Sequence, residues 1–343
     1  MKRRITAFIC FLSMGILILD TKTALLGAAE GIELCIRTVI PSLFPFIVIS
    51  QLLTTSLLGE NLTILRSIGK LLRLPQGAES IWLTGSLGGY PVGAQCIGKA
   101  TKSGILPHQD GKRMLCFCAN AGPSFIFGIG MGVLGDIRLC FVIWLIHILS
   151  SILVGILTPG KASRVAKLQP VPPMTLPQAI PSATVTMGMI SGWIILFRIV
   201  IKLLQKWVLW VLPDTAQILI LGLLELSNGC VALVSIENMA HRFILFSVFL
   251  GFGGCCVAMQ TASVSEDFRW YLPAKMAHGA CSVIISSVAA GLLLPHDVPI
   301  HPAYLMICGV YLICYPLLLQ KFRKIALAFS PKVMYNSTNL HTR

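Results

Sequence analysis

Long apolar stretches recur along the chain and dominate what it can fold into. A helix needs roughly 17 to 25 consecutive apolar residues to cross the hydrocarbon core of a bilayer. Only 12% of the 343 residues are charged and 55% are hydrophobic, where globular domains carry about 25% charged residues. The sequence therefore predicts an all-α, polytopic membrane protein with about eight spanning helices, at 5–19, 38–58, 114–134, 137–157, 182–204, 243–263, 272–294 and 302–320.

Two further apolar segments, 80–98 and 218–235, are shorter and broken by glycine. Non-helical backbone at membrane depth is tolerated only where protein buries it or a water-filled cavity solvates it. We expect both segments to re-enter the membrane from one side without crossing it.

The net charge of +14 is distributed as a topology signal and does not indicate a nucleic-acid partner. If the amino terminus is cytoplasmic and the two broken segments do not cross, 20 of the 27 lysines and arginines lie on the cytoplasmic side. This count places Arg113 and Lys275 in cytoplasmic loops and both termini inside the cell. Residues 1–23 are predicted to be a retained signal-anchor helix, and residues 321–343 a basic tail.

A proline-rich, basic segment at 158–181 is the predicted cytoplasmic linker between two membrane repeats, 24–157 and 182–320. Residues 86–95 (SLGGYPVGAQ) align without a gap with residues 251–260 (GFGGCCVAMQ). Glycine-interrupted hydrophobic segments at corresponding places in two halves point to the binding site of a secondary transporter. The charge pattern gives the halves opposite orientations, so we predict inverted repeats.

The first glycine motif, 85–94, holds four glycines and a proline, so a regular helix is not expected there. A half-helix starting near Pro91 would point its positive dipole end at the break. We predict that amides near Gly89 and Gly93 bind negative charge, that Tyr90 stacks on the solute and that Gln95 supplies directional hydrogen bonds. The alternative is close helix packing through small residues.

A second break is predicted at 120–128 (NAGPSFIFG), because Pro123 has no N–H to donate. Asn120 and Ser124 supply polar side chains there. Either they stabilise the kink, or they face the solute.

In the second half, Glu225 and Asn228 are three residues apart in an apolar run. An ionisable group within the membrane is costly and is by default a functional hypothesis. Glu225 is predicted to bind a coupling proton or cation, unless it faces water at the interface. Arg198 either pairs with Glu225, attracts an anion or extends toward the interface. From the second glycine motif, Gly254 and Gln260 join the predicted site, where Gln260 either recognises solute or links helices.

Cofactor and enzyme chemistry find no support in the sequence. The twelve cysteines are scattered without a CxxC pair, so we expect neither a metal nor a cofactor. His147 and His278 are isolated, and no hydrolase motif occurs. We expect a non-enzymatic protein whose oligomeric state stays open.

These motifs, in this order, resemble the nucleoside-recognition (Gate) domain membrane proteins, and most closely the sporulation integral membrane protein family typified by YlbJ. The resemblance rests on 41–46 (PSLFPF), 89–94 (GYPVGA), 120–128, 224–229 (LELSNG), 251–254 (GFGG) and Gln260, and it covers about residues 24 to 320. It implies a multi-pass protein of spore development that moves dipicolinate, a planar dianion, across a forespore membrane. The wider Gate group implies nucleoside-like solutes. Two alternatives remain. One is a scaffold that transports nothing and recruits spore-envelope factors; the other is a membrane-embedded enzyme that acts on a lipid or lipid-linked precursor, with Glu225 or His147 as the base.

Overall fold

A computed structural model describes residues 2–60, 62–160, 168–265, 268–294 and 302–329. Within these ranges the chain forms helices and no strand, which confirms the predicted all-α class. The helices are α1 (Lys2–Leu19), α2 (Thr21–Leu34), α3 (Ile40–Leu57), α4 (Arg66–Leu71), α5 (Glu79–Leu87), α6 (Val92–Lys102), α7 (His108–Cys118), α8 (Pro123–Leu134), α9 (Ile137–Leu157), α10 (Leu176–Trp207), α11 (Asp214–Leu224), α12 (Leu226–Ala232), α13 (Met239–Phe252), α14 (Gly254–Val264), α15 (Tyr271–Leu293) and α16 (Pro302–Phe329).

Among the described residues, seven helical stretches are long and apolar enough to cross a membrane. They correspond to the predicted spans after the first, and they begin at Thr21, His108, Ile137, Leu176, Met239, Tyr271 and Pro302. The chain is therefore a polytopic membrane protein. The predicted signal anchor is the helix α1, which is not one of the seven.

Both segments predicted to be broken by glycine are pairs of short helices. α5 and α6 pack against each other, and a Cβ placed on Gly85 would lie 3.1 Å from the Cα of Gly93. α11 and α12 pack against each other in the same way across Gly222 and Gly229. Each pair therefore folds back as a hairpin, as expected for a segment that enters and leaves on one side.

Two of the predicted spans, 114–134 and 243–263, each consist of two consecutive helices separated by a short break. Residues 119–122 separate α7 from α8, and Gly253 separates α13 from α14. Neither pair packs side by side, in contrast to the two hairpins. The break at Pro123 is where the sequence predicts it, and the break at Gly253 lies in the second glycine motif, inside the predicted span 243–263.

The order of elements repeats in the two halves. Each half has a long helix (the helical stretch of α2 and α3, and α10), a hairpin (α5 with α6, and α11 with α12), an interrupted helix (α7 with α8, and α13 with α14) and another long helix (α9, and α15). In addition, α8 packs on α3 as α14 packs on α10. This order pairs the hairpin 79–102 with the hairpin 214–235. It does not support the predicted pairing of 86–95 with 251–260, because that alignment matches a hairpin with an interrupted helix.

The boundaries of the predicted linker and tail differ from those in the structure. Thr175 caps α10 by accepting from the backbone of Gln178, whose side-chain oxygen accepts from the Thr175 N–H at 2.9 Å, so this helix starts before residue 182. Residues 168–175 form no regular secondary structure, and the Leu168 N–H donates to the Gln76 carbonyl at 2.9 Å. α16 continues to Phe329 in the predicted tail. Residues 161–167 and 330–343 lie outside the described residues.

The first long helices of the two halves pack closely. Cβ atoms placed on Gly27 and Gly31 would each lie 2.9 Å from a backbone Cα of α10, which is the close approach that a small-xxx-small pattern permits. Beside this contact, Glu30 accepts from Arg198 Nε at 2.9 Å and pairs with Lys202 Nζ at 2.7 Å. Arg198 thus binds Glu30, a residue to which the sequence analysis gave no role.

Candidate functional site

Three of the four helix breaks line one small cavity, and α14, the helix that follows the fourth break, completes it. Its walls include Gly89 and Tyr90 from the first hairpin, Ala121 and Gly122 from the first interrupted helix, Glu225 to Ser227 from the second hairpin, and Val257 and Gln260 from α14. Val39, Leu43, Phe125, Ile190 and Ile194 complete an apolar lining. Backbone that has left the helix therefore lies beside an internal space, as non-helical segments in membranes require.

The first hairpin presents Gly89 and Tyr90 to the cavity. Gly89 has a φ of +80°, a conformation that glycine adopts without a steric penalty. A Cβ at this position would lie 3.1 Å from the backbone nitrogen of Gly122, so two breaks touch here. The Tyr90 hydroxyl donates to the Leu250 carbonyl at 3.1 Å. Tyr90 is thus fixed between the first hairpin and α13.

The break between α7 and α8 is held by buried polar side chains. The Ala121 N–H donates to His147 Nε2 at 3.0 Å. Asn120 Nδ2 donates to the Phe117 carbonyl at 2.9 Å and to the Ser151 hydroxyl at 3.2 Å. Of the two alternatives for Asn120, these contacts favour stabilisation of the kink.

The second hairpin turns at Glu225, which is 2% exposed. Its carboxylate accepts from the Ser227 and Asn228 N–H groups at 3.1 and 2.8 Å and from Asn228 Nδ2 at 2.6 Å. The Asn228 side-chain oxygen accepts in turn from Arg198. Arg198 therefore reaches Glu225 through Asn228 and does not pair with it directly.

Four of the ten predicted site residues line the cavity: Gly89, Tyr90, Glu225 and Gln260. Gln260 is 3% exposed, and its Nε2 donates to Cys256 Sγ at 3.4 Å. The other six residues, Gly93, Gln95, Asn120, Ser124, Asn228 and Gly254, are not part of its wall.

The residues outside the wall support the breaks. Gly93 packs against Gly85 and the Cys118 carbonyl, which favours the packing alternative for this glycine. Gln95 Nε2 donates to Thr186 of α10 at 3.0 Å. A Cβ on Gly254 would lie 3.2 Å from the Gly222 carbonyl oxygen. The Ser124 hydroxyl has no hydrogen-bond partner among the described residues.

Lys275 is a buried residue that sequence reasoning missed. It belongs to α15 with a relative exposure of 0%, so its predicted place in a cytoplasmic loop is wrong. Its Nζ donates to the Ala119 carbonyl and, at 3.1 Å, to the Tyr90 hydroxyl. Arg113 is also buried, in α7, and donates to the Leu72 carbonyl at 2.7 Å. Lysine inside the predicted span 272–294 was the available signal for Lys275.

His147 and His278 are not isolated, contrary to the prediction. Both are fully buried, and their rings stack with centroids 4.5 Å apart and planes inclined by 25°. His278 Nε2 lies 3.1 Å from the His147 carbonyl oxygen. The pair joins α9 to α15 behind the 119–122 break, and residues 131 positions apart give no sequence signal for such a contact.

The cavity has a volume of about 40 Å³. That is room for a few water molecules, whereas pockets for drug-sized ligands measure roughly 300 Å³ or more. In the described conformation the cavity is therefore too small for a planar solute. No group of three or more potential metal ligands occurs among the described residues.

Comparison with known proteins gives a relationship along most of the chain. No protein-family model and no solved structure matches, so the nucleoside-recognition domain stays a prediction. The chain is similar to the sporulation integral membrane protein YlbJ of Bacillus subtilis (strain 168), with 23% identity over 336 residues that cover 82% of this chain and 80% of that protein. Together with the helical architecture, this similarity supports a YlbJ-like family of multi-pass membrane proteins as the one to which the chain is related.

Proposed function

We propose that this protein moves a small planar anion across a membrane during sporulation, with dipicolinate as the first candidate solute. The observation that carries the proposal is the convergence of three helix breaks and α14 on one small cavity. Discontinuous helices that meet near the middle of the protein are the usual architecture of solute sites in secondary transporters. Similarity to a sporulation protein supports the cellular process.

In this proposal the cavity wall recognises the solute by stacking and hydrogen bonding. The Tyr90 ring provides an apolar face, and the Gln260 amide both donates and accepts. Backbone amides at Gly89 and Gly122 provide donors where the helices have unwound. Because the cavity holds only a few waters, its walls must move apart before a planar solute enters.

Glu225 is proposed as the site of a coupling proton or cation. Its carboxylate is buried at the cavity and accepts three hydrogen bonds from neighbouring amide groups. A bound proton or cation would leave the wall neutral, so occupancy of Glu225 would change the affinity for an anion. This role makes the protein a transporter and not an enzyme.

The location proposed for the protein is a bacterial cell membrane, specifically the forespore membrane. Both termini are proposed to be cytoplasmic, because 18 of the 27 lysines and arginines remain on the predicted cytoplasmic side when Arg113 and Lys275 are subtracted from the 20 counted there. A reporter fused after Arg343 that appears outside the cytoplasm would contradict this topology.

Transport is tested by reconstituting the purified protein in liposomes and measuring dipicolinate uptake. Gln260→Ala removes the amide at the cavity and is expected to slow uptake about tenfold, as loss of roughly 1.4 kcal/mol of interaction implies. Gln217→Ala is the matched control, because this amide lies at the start of α11 and bonds only the nearby Leu212 carbonyl at 3.0 Å among the described groups. Uptake should stay at the wild-type rate in the control.

The alternatives give different results in the same vesicles. Uptake of a nucleoside but not dipicolinate would favour the nucleoside-type transporter. No flux of either solute through wild-type protein of native helical content would contradict the proposal and favour a scaffold role.

A further inference from the structure

A fully buried ammonium group lies behind the cavity wall. Lys275 Nζ has two hydrogen-bond partners among the described residues, the Ala119 carbonyl and the Tyr90 hydroxyl. It also lies 5.0 Å from the ring centre of Tyr90 and 5.8 Å from that of Tyr271. All of these contacts are neutral.

No carboxylate among the described residues lies within salt-bridge distance of Lys275. Buried charges are ordinarily paired, because removing an ammonium from water is costly. Glu225, the carboxylate in the cavity wall, does not serve as this partner, since it is bound by the amides of Ser227 and Asn228. Within the described ranges, Lys275 therefore has no carboxylate to balance its charge.

Lys275 is one contact away from the solute cavity, through Tyr90. Tyr90 lines the cavity, and Ala119 is two residues from Ala121, which also lines it. An ammonium group has three N–H donors, and the two oxygen partners of Lys275 use two of them. A third donor remains for a ligand that enters next to Tyr90.

We propose that Lys275 binds the acidic group of the transported solute, which is a small aromatic carboxylate. This inference rests on the proposed function, because it assigns the ligand class of the same cavity. A carboxylate that enters the cavity beside Tyr90 accepts from the remaining N–H of Lys275 and supplies the counter-charge. Neutral planar molecules of the same shape lack this interaction and bind weakly.

The test is thermal unfolding of the purified full-length protein in detergent with three probes. Dipicolinate and benzoate carry carboxylates, and pyridine-2,6-dicarboxamide is the neutral counterpart of dipicolinate. For wild-type protein, we expect at least one of the two acids to raise Tm and the diamide to leave it unchanged, because a ligand that binds only the folded state stabilises it.

Variants at Lys275 separate ligand binding from structural support. Lys275→Met should weaken binding of the acid at least tenfold while Tm without ligand stays the same or rises, because a buried unpaired charge has been removed. Lys99→Met is the matched control: it removes an exposed ammonium that bonds Ser182 at 3.3 Å, and the acid-dependent shift should persist. If Lys275→Met does not accumulate, Lys275→Gln provides the same comparison and retains a donor for the Ala119 carbonyl.

Two results would overturn the inference. One is that neither acid stabilises wild-type protein; the other is that the neutral variants at Lys275 keep the wild-type response to acid. Failure of the proposed function is seen separately, as acid binding that depends on Lys275 in a protein that moves no solute in liposomes.

Discussion

The Glu30 carboxylate provides the most direct test of how the two halves are held together. It accepts from Arg198 Nε at 2.9 Å and pairs with Lys202 Nζ at 2.7 Å, although the partners are more than 160 residues away. Glu30→Gln keeps the size of the side chain and removes its charge. Arg198 and Lys202 then face each other on one turn of α10 without a compensating carboxylate.

The expected loss follows from the contacts and from their exposure. Hydrogen bonds to charged partners contribute about 1.5 to 3 kcal/mol each when buried. The three side chains are between 22% and 28% exposed, so solvent screens part of this energy. We expect Glu30→Gln to lower the free energy of unfolding by about 2 kcal/mol, part of it from repulsion between the two remaining cations.

The measurement is equilibrium unfolding in mixed micelles, followed by tryptophan fluorescence. Glu33→Gln is the matched control on the same helix, because Glu33 pairs with Arg37 at 3.0 Å with both side chains more than half exposed. Its loss should stay below about 0.5 kcal/mol. Adding Lys202→Met to Glu30→Gln should restore stability relative to Glu30→Gln alone. Equal losses for Glu30→Gln and Glu33→Gln would refute the reasoning.

Two glycine substitutions test the packing and the breaks. Gly31→Val forces atoms into the α10 backbone and should cost about 1 to 3 kcal/mol of unfolding free energy in the same assay. The control is Gly188→Ala, which should be neutral or slightly stabilising because a Cβ there meets open space. A similar loss of stability for both variants would contradict the close packing. Gly253→Ala, at a φ of +81°, should cost about 1 kcal/mol and also slow transport, because its Cβ would lie 3.3 Å from the Tyr90 ring; wild-type flux and stability would argue against this break geometry.

Local chemistry made the helix breaks predictable. Glycine and proline lower helix stability wherever they occur, so the clusters at 85–94 and 120–128 indicated interruptions without knowledge of their neighbours. Seven spans were also predictable, because the thickness of the bilayer sets the length of the apolar stretch that a spanning helix needs. Glu225 was found because a carboxylate in an apolar run needs an explanation.

Contacts between distant segments were not predictable in this way. A charge count assigns every lysine near the end of a span to a loop, so Lys275 was predicted to lie in a cytoplasmic loop, although packing in the folded protein buries it. His147 and His278 meet only because α9 packs on α15. The motif alignment paired unlike elements because glycine-rich apolar segments resemble one another in composition whatever their role.

The contacts of Tyr90 have a mechanical consequence for the whole molecule. This side chain belongs to the first half of the chain, yet it rests against Gly253, donates to Leu250 and accepts from Lys275, all in the second half. A shift of the first hairpin must therefore displace α13 and α15 as well or break these bonds. Opening of one side of the protein would then require both halves to move together, because the contacts of Tyr90 link them.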